Sequence, residues 1–237
     1  MQFKETLMTY DLHMHSCLSP CGDNDMTVNN IVNMAMLKEL DVIALTDHNS
    51  SRNCPAFMKA AKRAGIRAIP GMEINTSEEI HAVCLFPTLE QAMDFDSYVF
   101  STMPPVKNRP DVFGDQIIVD EDDRPIGNID KLLITASGVS FSELPDLMKQ
   151  YGGIFFPSHI DRSANSLLAI MGTVPEDVDF PFFELYHLGF YDDIMEKHPS
   201  LKDKPWLHNS DAHYLWDIAE PERQLDYRIE NMLKNYG

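Results

Sequence analysis

The sequence has few cysteines, few basic side chains and no long apolar run. Its four cysteines, Cys17, Cys21, Cys54 and Cys84, are scattered along the chain. This scatter argues against a small disulfide-stabilised fold and favours reduced thiols. No apolar run reaches the ~18 residues of a membrane span, and the first five residues lack the apolar core of a signal peptide. We therefore expect a cytoplasmic protein with no membrane partner.

Basic residues are heavily outnumbered, since 19 Lys and Arg face 37 Asp and Glu, for a formal net charge of −18. Nucleic-acid binding draws on Lys and Arg that displace counterions, and the chain has no basic track interleaved with aromatic residues. We therefore do not expect long nucleic acid as a partner. A small anionic substrate fits better, because bound divalent cations reverse the local field of an acidic site. Neither a Gly-rich phosphate loop nor a GxSxG elbow is present, which excludes those two routes to catalysis.

Short apolar runs alternate with helical periodicity over most of the 237 residues. Residues 42–46 form one apolar run, and Pro55 and Gly65 bracket the helical pattern that follows. This alternation predicts a parallel sheet in an α/β fold. Candidate functional residues stand at one end of nearly every strand, which is typical of a barrel with its site at the carboxyl ends of the strands. We expect a distorted barrel with fewer than eight units.

Residues 101–140 break the alternation. Met103, Pro104 and Pro105 interrupt the pattern, and apolar runs at 116–119 and 132–135 flank an acidic, turn-rich stretch. We predict an inserted hairpin or small subdomain here, with residues 1–100 and 141–237 forming the barrel. The insertion is either a lid over the site or a peripheral excursion.

Histidines and carboxylates at strand ends predict a metal centre. His13 and His15 follow a predicted strand at residues 6–10, and residues i and i+2 of an extended chain project to the same side, which makes half of a chelate. The other candidate ligands are Asp23, His48, Glu73, His81, His159, Asp211 and His213. Nine nitrogen and oxygen ligands suit two or three divalent ions, Zn, Mn or Fe, with a carboxylate such as Glu73 bridging a pair. Asp25 competes with Asp23, and Asp47 is a candidate partner for orienting an imidazole.

Five motifs, in order, resemble those of PHP domains, the polymerase and histidinol phosphatase superfamily of metal-dependent phosphoesterases. They are Asp-Leu-His-Met-His-Ser (11–16), Thr-Asp-His-Asn (46–49), Gly-Met-Glu (71–73), Ser-His-Ile-Asp-Arg (158–162) and Ser-Asp-Ala-His (210–213). The resemblance implies a distorted (β/α)7 barrel with a di- or trinuclear centre.

The resemblance also implies how the ligands divide among the ions. His13, His15, Glu73 and Asp211 would hold the first ion. Glu73, His81 and His159 would hold the second. Asp23, His48 and His213 would hold the third, although the residues inserted before Asp23 depart from the pattern of the family.

These observations predict a phosphoesterase that hydrolyses small phosphomonoesters, nucleotides among them, with a metal-activated water. We expect Glu73, Asp211 and His213 to take part in catalysis. Arg162 is the first choice for a phosphate clamp, since a guanidinium binds phosphate bidentately, and Arg52 is the second. Three alternatives stay open: a nuclease acting on oligonucleotide ends, an amidohydrolase-type metal hydrolase, and a non-catalytic metal-binding module.

Overall fold

Short strands and helices alternate along residues 8–237, the part of the chain that the computed structural model describes. The strands are β1 (Tyr10–Asp11), β2 (Val42–Leu45), β3 (Arg67–Asn75), β4 (His81–Leu85), β5 (Ile117–Val119), β6 (Pro125–Asn128), β7 (Ile154–Pro157), β8 (Phe183–Glu184) and β9 (Trp206–Leu207). The α-helices are α1 (Val28–Leu37), α2 (Cys54–Ala64), α3 (Leu89–Thr102), α4 (Pro110–Phe113), α5 (Leu144–Tyr151), α6 (Leu167–Met171), α7 (Tyr191–Lys197) and α8 (Tyr227–Leu233). Residues 6 and 7 of the predicted first strand lie outside the described residues. Between residues 8 and 237, no helix is both long and apolar enough to cross a membrane.

The strands form a mixed α/β fold around a curled half-barrel sheet. Its five strands follow the order β1-β2-β3-β4-β7, while β8 pairs in parallel with β9, and β5 forms an antiparallel hairpin with β6. The prediction of a wholly parallel sheet is wrong at β4, which is antiparallel to both β3 and β7. The reason is the short connection before it, residues 76–80. A parallel partner would need a crossover of a dozen or more residues.

Strand β3 is longer than the sequence indicated and changes partners along its length. The apolar run at residues 66–69 predicts a strand that ends at Ile69, but β3 continues to Asn75. Its first part pairs with β2 as far as Pro70, and from Gly71 onward it pairs with β4. Pro70 lies where the pairing changes, so its missing N–H interrupts neither set of hydrogen bonds. A Cβ on Gly71 would lie 2.6 Å from the carbonyl oxygen of Cys84, so the two strands approach too closely there for any larger residue.

Side chains of β2 alternate between two apolar clusters. Val42 and Ala44 of β2 point into an inner cluster, which also contains Phe182 from the segment before β8. Ile43 and Leu45 point the other way, into an outer cluster built with α1 and α2. Side chains of α8 also pack into the inner cluster. The alternation along β2 thus points one set of side chains into the interior between the main sheet and the β8–β9 pair. It points the other set toward α1 and α2.

Residues 101–140, the predicted insertion, contain a hairpin, but its second strand is not the one that the apolar runs predict. Strand β5 pairs with β6 and not with residues 132–135. The carboxylate of Asp120 accepts the N–H groups of Asp122 and Arg124, each at 2.9 Å, and so closes a tight turn directly after β5. Leu133 is instead buried in a small cluster with Leu18. The lid role of the insertion stays a prediction.

Candidate metal centre

The first two histidines converge as their spacing predicts. After β1 the chain stays extended, with Met14 bridged to Ala212 and the N–H of His15 donating to the carbonyl oxygen of Ala212 at 3.0 Å. Met14 points into an apolar cluster, while His13 and His15 share the opposite side. Their Nε2 atoms lie 3.3 Å apart, and both side chains are fully buried.

Glu73 lies at the middle of the site. The chain beyond β2 holds its backbone, because the N–H of Asn49 donates to the Glu73 carbonyl oxygen at 2.9 Å. Its Oε1 lies 3.1 to 3.2 Å from three imidazole nitrogens, those of His13, His81 and His159. Its Oε2 lies 3.0 Å from His48 Nδ1 and 3.5 Å from His15 Nε2. One fully buried carboxylate is therefore surrounded by five imidazoles.

Several buried polar atoms in this cluster form no hydrogen bond, although other polar atoms lie close to them. They include both carboxylate oxygens of Glu73, Nδ1 of His48 and Oδ1 of Asp211. A buried polar atom without a partner costs about 1–3 kcal/mol, and native proteins rarely tolerate several together. Imidazole nitrogens and carboxylate oxygens are the ligands that Zn, Mn and Fe accept. Divalent ions therefore fit this cluster, since they would satisfy the atoms that the protein leaves unpaired.

The ligand atoms form three overlapping groups, and within each group they lie within 4.8 Å of one another. The groups are His13, His15, Glu73 and Asp211; His48, Glu73 and His81; and His15, His48 and His213. The first contains the four residues that the resemblance implied. The second has His48 in the place of His159, whose Nε2 is nevertheless 3.2 Å from Glu73. The third has His15 in the place of Asp23.

Asp23 lies beside the centre without joining any of these groups. Its N–H donates to the carbonyl oxygen of His213 at 2.9 Å, so its backbone is adjacent to that histidine. Its carboxylate, however, accepts the N–H of Asp25 at 2.8 Å within its own turn. Asp25 is exposed and is likewise absent from the groups.

Three histidines contact the rest of the protein through Nδ1, and the Nε2 atoms of His13 and His15 face the other candidate ligands. His13 Nδ1 lies 3.0 Å from a carboxylate oxygen of Glu184, and His15 Nδ1 lies 3.0 Å from Ser19 Oγ. His213 Nδ1 lies 2.8 Å from the carbonyl oxygen of Asp211. We assign the proton to Nδ1 in each case, which fixes the ring and points the Nε2 lone pair at the cluster.

Glu184, to which the sequence analysis assigns no role, holds several parts of the site together. Besides His13, its carboxylate accepts the N–H of His159 at 3.0 Å and Nδ2 of Asn209 at 2.6 Å. Asn209 in turn accepts the N–H of Leu12 at 2.9 Å. One signal was available: Glu184 is the charged residue in an apolar run, and a charge on a buried strand needs partners.

Asp47 acts on an imidazole only indirectly. Its carboxylate accepts the hydroxyl groups of Ser16 and Ser19, at 2.6 and 2.7 Å. Ser19 then accepts the Nδ1 proton of His15. The prediction that Asp47 orients an imidazole therefore needs Ser19 as the intermediate residue.

Burial and charge shift the pKa values in this cluster in opposite directions. Burial lowers the pKa of His15 well below its ordinary value, and neighbouring His213 and His48 lower it further. Burial also acts to lower the pKa of His13, but the carboxylates of Glu184 and Glu73 outweigh it and raise that pKa well above the usual value. Burial alone would raise the pKa of Glu73, yet the surrounding histidines hold it well below the usual range. Glu73 is therefore ionised and able to bind cations.

Two members of the cluster have unusual backbone angles. His159 has a φ of 27° and Asp211 a φ of 51°, both in the left-handed region. Such conformations cost about 1–3 kcal/mol in most residues and concentrate at functional sites. The unusual backbone angles of these two residues therefore lower the stability of the fold while they set the direction of the side chains.

The cluster forms the floor of an open pocket of about 460 Å³. Arg162, Tyr186 and His187 are part of its wall. Arg162 Nη1 lies 2.7 Å from Asp211 Oδ2, and its guanidinium carbon lies 4.0 Å from the ring centroid of Tyr186. This places the guanidinium next to the candidate ligands.

Arg52 is not among the residues that line this pocket. Its Nε lies 3.2 Å from Asp96 Oδ2, and its guanidinium carbon lies 4.2 Å from the ring centroid of Phe100. Both partners belong to α3. The structure thus brings Arg162 to the candidate ligands but holds Arg52 elsewhere.

A mixed α/β fold with buried histidines gathered around a shared carboxylate defines a class of proteins built around a candidate polynuclear metal centre. Within that class, the chain belongs to the PHP domain family, because the sequence model of the PHP domain matches residues 11–170. The match confirms the resemblance that the five motifs indicated. Asp211 and His213 lie beyond the matched residues.

Individual relatives match smaller parts of the chain or share only its fold. The 5′-3′ exoribonuclease Rnm of Salmonella typhimurium is 36% identical over 81 residues, which are 32% of this chain and 27% of that enzyme. A proposed metal-dependent phosphoesterase from Bifidobacterium adolescentis superposes with a TM-score of 0.64 at 16% identity, covering 96% of both chains. The lesion-specific endonuclease Q of Pyrococcus furiosus superposes with a TM-score of 0.61 at 21% identity, covering 92% of this chain and 50% of that one. At these identities the structural likeness concerns the fold alone.

These relatives correct one expectation. We predicted a small phosphorylated partner and no long nucleic acid. However, the Salmonella relative is an exoribonuclease, and endonuclease Q has a structure in complex with a 27-mer DNA duplex bearing an abasic lesion. The charge argument was wrong because net charge is summed over the whole surface, whereas a site recessed around metal ions creates its own local field.

Proposed function

We propose that this protein is a metal-dependent nuclease that hydrolyses phosphodiester bonds of single-stranded nucleic acid, with chain ends as the preferred position. The observation on which the proposal rests is the pocket, which Glu73 lines together with His48, His81 and His159. Arg162 stands in its wall. The match to an exoribonuclease over a third of the chain and the fold shared with endonuclease Q support this substrate class.

The pocket geometry favours a single strand over a duplex. The side chains of Glu73 and Asp211 are 1% and 3% exposed, so a phosphate must enter the pocket to reach them. A single strand or a chain end can bend into such a recess. The backbone of a duplex is stiffened by base pairing and cannot bend into it in the same way. The pocket volume of about 460 Å³ is within the range of small-ligand sites and suits one nucleotide.

We propose that Glu73 would help to hold two divalent ions. His13, His15 and Asp211 would complete the first site, and His81 with His159 would complete the second. His48 and His213 would contribute to a third site. Divalent ions in these positions would activate a water for attack on phosphorus and neutralise the phosphoryl oxygens.

Residues of the chain itself would prepare the substrate. Arg162 would bind a phosphate oxygen through its guanidinium, which the ring of Tyr186 and the carboxylate of Asp211 hold in place. Glu184 and Ser19 would keep the proton on Nδ1 of His13 and His15, so that both Nε2 atoms stay available.

We also propose that the two sheets close into a seven-stranded (β/α)7 barrel, with the β5–β6 hairpin outside it. The N–H of Ile160, just after β7, donates to the carbonyl oxygen of Glu184 in β8 at 2.9 Å. On the other side, Met14 bridges to Ala212 beyond β9. The inner apolar cluster, which draws side chains from both sheets, supports this closure.

The test is a cleavage assay with end-labelled oligonucleotides. Single-stranded RNA, single-stranded DNA, a duplex and a panel of phosphomonoesters are incubated with the protein and Mn²⁺, Zn²⁺ or Fe²⁺. We expect metal-dependent shortening of a single strand, and loss of that activity together with bound metal in Glu73→Gln. Since Glu73→Gln is a change in the core, circular dichroism must show it folded, and Arg162→Ala provides a second variant.

Turnover of phosphomonoesters with every oligonucleotide left intact would overturn the nuclease proposal. Release of ammonia from amides, without release of phosphate from any ester, would instead support the amidohydrolase alternative. A protein that binds its full complement of metal and hydrolyses nothing would support the non-catalytic alternative.

A further inference from the structure

A group of exposed aromatic side chains stands beside the metal centre. Tyr186, His187 and Phe190, which we call the aromatic wall, follow β8 in the chain. Tyr186 is 38% exposed and Phe190 is 52% exposed. The ring centroids of Tyr186 and His187 lie 4.7 Å apart, and those of His187 and Phe190 lie 5.4 Å apart. Tyr186 and His187 line the same pocket as Glu73, so the wall is continuous with the candidate site.

Two neighbours of His159 hold the aromatic wall in position. The carboxylate of Asp161 accepts the N–H of Tyr186 at 2.7 Å and the N–H of His187 at 2.6 Å. The guanidinium of Arg162 packs against the ring of Tyr186. His159 Nε2 lies 3.2 Å from Glu73 Oε1. The segment that follows His159 therefore fixes both the proposed phosphate-binding arginine and the aromatic wall. A wall fixed before binding loses little conformational entropy when a flat ligand packs on it.

We propose that the aromatic wall stacks against the nucleobase attached to the phosphate bound at the metal centre. This inference rests on the proposed nuclease function and adds a substrate-positioning site to it. Each nucleobase has a π-face, so stacking on aromatic side chains works for any sequence and contributes to binding at each base. Stacking also needs no positive charge. It thus gives a protein with a net charge of −18 a way to bind a strand without a basic track.

The base itself is the variable in the test. Two single-stranded oligonucleotides are compared, one normal and one with an abasic residue at the cleaved position. For Tyr186→Ala and His187→Ala we expect KM on the normal strand to rise roughly 5- to 150-fold, the range of one stacked base. We expect much smaller changes on the abasic strand. Tyr186→Phe keeps the ring and should stay close to the wild type.

The abasic strand also separates stacking from damage to Arg162. If Tyr186→Ala acted only by freeing the guanidinium, KM would rise equally on both strands. The control variant is Tyr227→Ala, which removes an aromatic ring 62% exposed on α8 and outside the lining of the pocket. It should change neither KM.

Binding is followed separately by placing 2-aminopurine at the base and recording its fluorescence before turnover. We expect quenching with the wild type and Tyr227→Ala, and a large loss of quenching with Tyr186→Ala or His187→Ala. If the wild type cleaves the normal and abasic strands with the same KM and does not quench, the stacking proposal is wrong and the nuclease proposal stands. If it cleaves neither strand with any of the three metals, the nuclease proposal fails first.

Discussion

Replacing Glu184 with Gln tests whether a residue that need not touch the metal sets the affinity of the centre. The change keeps the shape of the side chain and removes its charge. The Glu184 carboxylate accepts a hydrogen bond from His13 Nδ1 at 3.0 Å, from the N–H of His159 at 3.0 Å and from Asn209 at 2.6 Å. A carboxamide has one accepting oxygen and adds two donors. At least one of the three donors would therefore lose its acceptor.

The expected loss follows from the role of Glu184 toward His13. A carboxylate that binds the Nδ1 proton of a ligating histidine fixes the ring and increases the basicity of Nε2, and its loss typically lowers metal affinity 10- to 100-fold. That factor corresponds to about 1.4–2.7 kcal/mol. The unpaired buried donor adds about 1–3 kcal/mol of destabilisation in the native protein. Metal affinity and the free energy of unfolding should thus fall together.

Metal is first removed from the protein with a chelator. Metal affinity is then measured by titrating the metal-free protein with Mn²⁺ or Zn²⁺ in a calorimeter, and stability is measured by urea unfolding. Glu196→Gln is the matched control, since it removes the same charge from an exposed position on α7. We expect Glu196→Gln to bind metal as the wild type does. Wild-type affinity in folded Glu184→Gln, or an equal loss in Glu196→Gln, would refute the role assigned to Glu184.

Three further predictions address the pocket, the sheet and the ions. Arg162→Ala should lower kcat/KM on oligonucleotides roughly 10- to 100-fold, because a charge-assisted hydrogen bond to phosphate is lost. For Arg52→Ala, kcat/KM should stay within about twofold of the wild-type value. An equal loss of kcat/KM in the two variants would contradict the placement of the two arginines. Gly71→Ala should cost about 1–3 kcal/mol in urea unfolding, because its Cβ would meet the Cys84 carbonyl. Chelation should lower Tm by several degrees, since an ion at 100 times its Kd stabilises the native state by about 2.7 kcal/mol. An unchanged urea midpoint in Gly71→Ala would contradict the prediction for the sheet. An unchanged Tm after chelation would contradict the prediction for the ions.

Local signals in the sequence predicted the elements well. The pattern from Pro55 to Gly65 indicated a helix, and α2 ends at Gly65 with a φ of 77°. The i, i+2 spacing of His13 and His15 predicted their convergence, which depends only on extended backbone. The gathering of Glu73 with its histidines was predicted from positions near strand ends, and His13, His15, His48 and His159 do follow their strands. Glu73, however, lies inside β3. His81 begins β4, and the antiparallel direction of that strand brings its first residue to the same edge of the sheet.

Features that depend on distant partners could not be predicted in the same way. The direction of β4 and the length of β3 depend on which strands lie side by side, although the short connection at residues 76–80 was a usable signal. The carboxylate of Asp23 turns back onto Asp25 because a local hydrogen bond is available to it. Arg52 follows a motif in sequence, but Asp96 on α3 draws it away from the pocket.

The candidate centre joins parts of the chain that are far apart in sequence. Ser210 donates to the carboxylate of Asp11 across 199 positions, and His13 meets Glu184 across 171. Contacts of such high order form late, because the entropy of closing a long loop must be lost before they stabilise anything. Since Asp211 is also a candidate ligand, the first group cannot form until residues 13–211 have all left the ribosome. Metal should therefore load only after these distant parts of the chain have folded together, and it would then lock β1 to the segment that contains Asp211.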